Sequence, residues 1–235
     1  MGKLVSYQLE DSIATLTMDD GKVNVLTLQM LTELNAALDQ ATADRAVVVL
    51  TGRAGVFSAG FDLAVLRSGG SEALAMLRAG FELAERILSF PTPVLIACTG
   101  HAVAMGVFLL LSGDYQVGSA GPYKITANEV AIGLTMPRAA IEICRQRLAP
   151  AHFNRAVINA EVFSPGEAVA GGFLDRVVQP SELHDVARAA AVELAKLDMN
   201  AHAATKLRAR NHGLTAIRAA IEADDAALRG ASASA

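Results

Sequence analysis

Charge is scarce in this 235-residue chain: Asp, Glu, Lys and Arg make up 19% of it, against 52% apolar residues, and the formal net charge is −4. There is no basic run of the kind that binds nucleic acid. So large an apolar share leaves no disordered bulk. Cysteine is scarcer still. Cys98 and Cys144 both sit among apolar neighbours, without CxxC or Cys/His spacing, which points to buried, reduced thiols and away from a disulfide or a metal site. No apolar run reaches membrane-spanning length. The first residues already alternate as strand, so no charged-then-apolar leader is read there. No internal repeat is found. A chain of this length suits one core domain with a small appendage, and the expectation is a soluble, cytoplasmic protein with neither nucleic acid nor membrane as partner.

What is present concentrates between Val94 and Pro137. Val94-Leu95-Ile96-Ala97 reads as a buried strand and Gly100 to Gly106 as a tight loop of small residues. Val107-Phe108-Leu109-Leu110-Leu111 reads as a buried helix. Strand, loop and helix in that order aim free backbone N–H groups at a ligand oxygen. Beyond them, Glu129 stands among Val130, Ala131 and Ile132, and a lone carboxylate in dry surroundings is a natural general base.

Around this stretch the pattern alternates. Leu4–Leu9 and Ile13–Met18 predict a hairpin. Leu28, Leu31, Leu34, Leu38 and Ala41 predict an amphipathic helix with Thr27 as N-cap, and Ala46–Thr51 predicts a buried strand. Gly69-Gly70-Ser71 reads as a flexible break before a helix from Glu72 that Phe90-Pro91 stops. This order argues for parallel crossovers in an α/β core. Later segments give helices at 139–148 and 151–160, a capping box at Ser164/Glu167, and a strand at 173–178. The alanine-rich helices from Ser181 onward show no core of their own and are expected to pack on a partner subunit or lid the site. The tail from Gly230 is expected to fray.

Three segments together resemble the crotonase, or enoyl-CoA hydratase/isomerase, family. Phe57-Ser58-Ala59-Gly60-Phe61-Asp62-Leu63 is similar to its F-x-A-G-x-D-L loop. Gly100-His101-Ala102 through Asp114 resembles its second loop, and Asn128-Glu129-Val130-Ala131-Ile132-Gly133-Leu134 with Pro137 resembles P-E-V-x-L-G-L-x-P. The likeness extends to Ala168-Gly171-Phe173-Leu174-Val177 and so covers nearly the whole chain. It implies an α/β crotonase-like spiral of ββα units over residues 1–180, with a helical oligomerisation or lid region at 181–235. It also implies assembly as a homotrimer or dimer of trimers, and acyl-CoA as the small-molecule partner. No separate cofactor is implied, since coenzyme A belongs to the substrate.

Carried over residue by residue, the resemblance makes the amides of Phe61 and Met105 the donors to an enolate oxygen, with Glu129 as the acid–base group. Met105 replaces a usual glycine, but main-chain donors do the work. Lys22, Val23, Ala59, Gly60, Asp62, Gly106 and Phe108 are then expected around the substrate, and Lys206 is a second candidate for CoA phosphates. Phe108 falls where hydratases of the family carry their first glutamate. Adding water normally needs both carboxylates, whereas moving a double bond from C3–C4 to C2–C3 needs one. Three functions stay open: Δ3-Δ2-enoyl-CoA isomerase, enoyl-CoA hydratase with non-standard acid/base residues, and a non-catalytic acyl-CoA binder. Plainer readings also stand. Glu129 pairs with Arg138, His101 is a hydrogen-bonded structural residue, Asp62 is an N-cap, the lysines are solvated, and Glu142 is a helix salt-bridge partner and reserve carboxylate.

Overall fold

A computed structural model describes residues 2–232. β1 (Val5–Glu10) and β2 (Ile13–Met18) pair antiparallel through Asp11 and Ser12, both at positive φ (48° and 62°), the backbone that a two-residue hairpin turn requires. From there the chain repeats one pattern: a strand for a large sheet, a short strand for a smaller layer, then a helix. After β2 come β3 (Val25–Leu26) and α1 (Leu28–Ala43). β4 (Val47–Thr51) is followed by β5 (Gly55–Ser58), β6 (Gly60–Phe61), α2 (Leu63–Ser68) and α3 (Gly70–Leu88). β7 (Val94–Cys98) leads to β8 (Gly100–Val103) and α4 (Met105–Ser112). β9 (Tyr115–Ser119) leads to β10 (Ile125–Thr126), a 3-10 turn at Val130–Ile132, and α5 (Arg138–Arg145). The chain closes with α6 (Pro150–Val157), α7 (Pro165–Gly171), β11 (Arg176–Val178), α8 (Leu183–Leu194) and α9 (Met199–Ser232). The expected α/β spiral of ββα units with a helical C-terminal region is the architecture found.

The large sheet has six strands in the order β1-β2-β4-β7-β9-β11, parallel from β2 onward. Its central strands β4 and β7 are buried at every position, and almost wholly apolar, because both faces are covered. Val48, Leu50 and Ile96 face the main core, while Val47, Val49 and Leu95 face a second, smaller one. Leu183, Ala187 and Ala191 of α8, four residues apart, cover that second face. Leu214, Ile217 and Ile221 of α9 enter the main core, where α9 packs on α3 and α5. The alanine-rich helices need no core of their own, since α8 covers one face of the sheet and α9 packs on α3 and α5 in the main core.

Other expectations are corrected. The stretch from Gly100 is half strand, for β8 pairs in parallel with β5 and β10 in the smaller layer. Strands this short, opening on glycine, carry too few alternations to read. The break at Gly69 is a joint: its φ of 67° ends α2, and α3 begins at once at Gly70. The strand read at 173–178 is confined to Arg176–Val178. The helix expected to fray at Gly230 continues to Ser232, and the remaining tail, 233–235, lies outside the described residues. The caps at Thr27 and Ser164/Glu167 form as expected.

Candidate active site

Two turns of the spiral meet at Gly60. Its φ is +86°, and a side chain there would stand 2.9 Å from the Val103 carbonyl and 3.1 Å from the Met105 nitrogen. Only glycine lets β6 lie so close, and this approach brings the Phe61 segment against the start of α4. That helix begins after Ala104, a non-glycine residue at φ 50°, ψ −125°, a sparsely populated backbone state that functional sites retain. The Ala104 N–H donates to Thr126 O (3.0 Å), which ties the α4 entry to β10. Met105 opens the helix, so its N–H has no intrahelical acceptor, and among the described residues no side chain caps it. Gly80 of α3 completes the seat, because a Cβ there would come within 2.4 Å of the Phe61 ring.

Above this junction lies a cavity of about 430 Å³. Leu63 and Leu66 of α2, Leu77 and Phe81 of α3, and Phe108 of α4 form one side. Ile132, Leu134 and Met136 form another, and Ile221 and Leu228 of α9 close it. Phe81 stands between Phe61 (6.1 Å, edge-on) and Phe108 (6.2 Å), an aromatic wall with no titratable group.

Glu129 differs from the other charged groups of this lining. It lines the cavity, is 7% exposed, and its Oε2 is buried with no hydrogen-bond partner among the described residues. Burial pushes its pKa up to about 7, opposed only by a bond from its own backbone. Asn128, beside it in the lining, has a buried Oδ1 equally without a donor. The other carboxylates of the lining are engaged. Asp224 pairs with Arg138 (3.1 Å) and accepts from Ala139 N (3.0 Å), and Asp225 pairs with Arg229 (2.8 Å) and Arg78 (3.6 Å). The expected plain pairing of Glu129 with Arg138 is therefore replaced by Arg138–Asp224.

Of the residues anticipated around a substrate, Ala59, Phe61, Phe108 and Glu129 line the cavity. Gly60 and Met105 are buried and do not line it. Gly106 packs on β5, where a Cβ would meet Ser58 O at 2.5 Å. Asp62 turns away to cap α2, accepting from Ala64 N at 2.8 Å. Lys22 and Val23 are exposed outside the cavity, with Val23 O tied to Ala59 N at 3.0 Å. Lys206 is no phosphate contact: it is 6% exposed and bound to Asp114 at 2.7 Å. His101 accepts from Lys124 N at 3.0 Å, and Glu142 pairs with Arg145 at 3.4 Å outside the cavity. Sequence reasoning missed Arg78, Asn128 and Gly80 as parts of the site, and of the two places offered for the C-terminal helices, the end of α9 takes the one over the site. For Asn128 a signal existed, since it replaces the proline of the family pattern. For α9 the lack of a core of its own pointed to a lid or a partner, but nothing in an alanine-rich helix says which residues of its last turns reach the cavity.

Paired loops at a helix start, below an apolar chamber, on a ββα spiral define the crotonase class. The comparisons with known proteins agree. The model of the enoyl-CoA hydratase/isomerase family matches residues 8–231, and the chain belongs to that family of acyl-CoA enzymes. A Mycobacterium tuberculosis protein, described as an enoyl-CoA isomerase in one solved structure and as a probable enoyl-CoA hydratase in another, superposes with TM-scores of 0.93 and 0.94 at 51% identity, the first over 96% of this chain and 99% of that one. A probable enoyl-CoA hydratase of Mycobacterium avium is 30% identical over 75% of this chain and 70% of its own length. Human mitochondrial Δ3-Δ2-enoyl-CoA isomerase superposes with a TM-score of 0.87 at 26% identity, over 96% of this chain and 92% of its own. No helix among the described residues is long and apolar enough to cross a membrane.

Proposed function

We propose that the protein shifts an enoyl-CoA double bond from C3–C4 to C2–C3, with Glu129 as its single acid–base group. The ionised carboxylate takes the C2 proton, and the thioester carbonyl becomes an enolate. The amides of Phe61 and Met105 donate to the developing oxyanion, stabilising it more than the ground-state carbonyl. Glu129 then returns the proton to C4. No further cofactor enters this scheme. A carboxyl with a pKa near neutrality suits a group that must both take and return a proton. The observation that carries the reading is the pair Glu129 and Phe108: one unpartnered carboxylate, and an aromatic ring where hydration would require a second. The aromatic wall also keeps water from the reacting carbons.

The test compares two reactions of the purified protein. Conversion of a 3-enoyl-CoA to the 2-trans isomer is expected to be much faster than hydration of a 2-enoyl-CoA. Glu129→Gln keeps size and removes basicity, so isomerisation should drop roughly a hundredfold or more while acyl-CoA binding persists. Rapid hydration by the wild type would overturn the assignment, and no turnover of either substrate would leave a binder.

A further inference from the structure

Asparagine beside a helical turn ordinarily folds its oxygen back onto a backbone N–H. Asn128 does not. Its carbonyl accepts from Ile132 N (3.2 Å) at the start of the 3-10 turn, yet its side-chain Oδ1 is buried without a donor. The next residue repeats the oddity, for Glu129 Oε2 is buried and unmet as well, and both residues line the same cavity. An ionised carboxylate only accepts, so the two unmet acceptors of this lining cannot satisfy each other. The acyl chain of an enoyl thioester carries no N–H or O–H and cannot supply the missing donor. A protonated Glu129 carries one O–H, and that single proton satisfies both oxygens.

We propose that the Asn128 carboxamide is a positioning residue for Glu129, its Oδ1 accepting the Oε2–H bond while Glu129 holds the proton between removal from C2 and delivery to C4. The C2–H bond breaks and its proton rests on Oε2, oriented by Asn128, while the electron pair is held as the enolate; the C4–H bond then forms as the π bond moves from C3–C4 to C2–C3. This rests on Glu129 being the base. The other charged groups of the lining are Arg78 on α3, Arg138 on α5, and Asp224 and Asp225 on α9, all held in ion pairs. Behind Glu129 lies the buried Cys144 thiol of α5, pushed up first by burial and then by the Glu129 charge. None of these gives Oε2 a donor.

The test is Asn128→Leu, similar in size but without an acceptor. The Glu129 carboxyl is followed by 13C NMR, assigned by difference from Glu129→Gln. If Asn128 only fills space, an apolar leucine deepens the desolvation and the titration midpoint rises. If Oδ1 accepts the proton, the midpoint falls by about one pH unit, because the protonated form loses its bond. The isomerisation kcat is then expected to fall about tenfold with KM unchanged. A midpoint that rises or stays put overturns the proposal, as does a raised KM with unchanged kcat. Asn128→Ala serves if the leucine variant folds poorly, and an unmoved midpoint there is equally fatal. The NMR titration needs no turnover. Failure of the isomerase assignment itself appears separately, as an inactive wild type or a fully active Glu129→Gln.

Discussion

Asp114 and Glu129 are both carboxylates withdrawn from water, and their surroundings differ in one respect. Asp114 accepts from Val94 N and Lys206 Nζ, each at 2.7 Å, and forms an ion pair with Arg210 at 2.9 Å. Glu129 Oε2 accepts from nothing. Burial with partners fixes a charge in place, whereas burial without them leaves the charge state to be settled by protons or ligand. Asp114 thus behaves as a rivet between α9 and the strands, and Glu129 as a reagent.

The largest expected effect breaks the rivet. Lys206→Met leaves a buried carboxylate short of its main counter-ion and should lower the unfolding free energy in urea by about 3 kcal/mol. That is the lower end of what such losses cost, because Arg210 and Val94 N remain. Activity per folded molecule should hold, since Lys206 does not line the cavity. A variant as stable as the wild type would erase the contrast between the two carboxylates.

This contrast was only half legible in the sequence. Glu129 could be singled out because one charge among Val130, Ala131 and Ile132 is a local pattern. The loop residues Gly60 and Phe61 could be found because a glycine-dependent approach leaves a short motif. Lys206 and Asp114 are 92 residues apart, and in isolation each reads as an ordinary surface charge. Their burial is decided by where α9 docks, a tertiary outcome that alanine periodicity does not encode. The centre of the large sheet was readable for the opposite reason: Val47–Leu50 of β4 and all of β7 are covered on both faces and run as apolar segments. The two-residue strands β3, β6 and β10 were not, because their pairing rests on backbone approach alone.

Of the same size is the stability cost of keeping Glu129 unpartnered. Its pKa rises from 4.5 to about 7 on folding, so between those values the folded chain binds a proton that the unfolded chain has released. Stability therefore falls as pH increases through this window. A change of this size corresponds to something on the order of 3 kcal/mol. Glu129→Gln cannot titrate, so from pH 5 to pH 8 it should lack this decline and gain on the wild type by about that amount. Parallel urea midpoints across the range would mean that Glu129 is hydrated or paired in solution, and the reagent reading would lose its physical basis.

The smallest effect sharpens the comparison inside the cavity itself. Asp224 also lines the chamber, but it is engaged at both oxygens: Oδ1 meets Arg138 at 3.1 Å and Oδ2 accepts Ala139 N at 3.0 Å. The second bond caps α5 from a different helix, because Pro137 at the N-cap has no side-chain acceptor to offer. Asp224→Asn keeps an oxygen for Ala139 N and loses only the ion pair and the negative charge beside the α5 N-terminus. Arg138 is 60% exposed, so water already screens that pair. The loss should be about 0.5–1 kcal/mol, with kcat for isomerisation unchanged within twofold. If proximity to the chamber alone made a carboxylate catalytic, this variant would be as crippled as Glu129→Gln. A kcat near wild type would instead tie the chemistry to the one carboxylate of that lining whose oxygen is unmet.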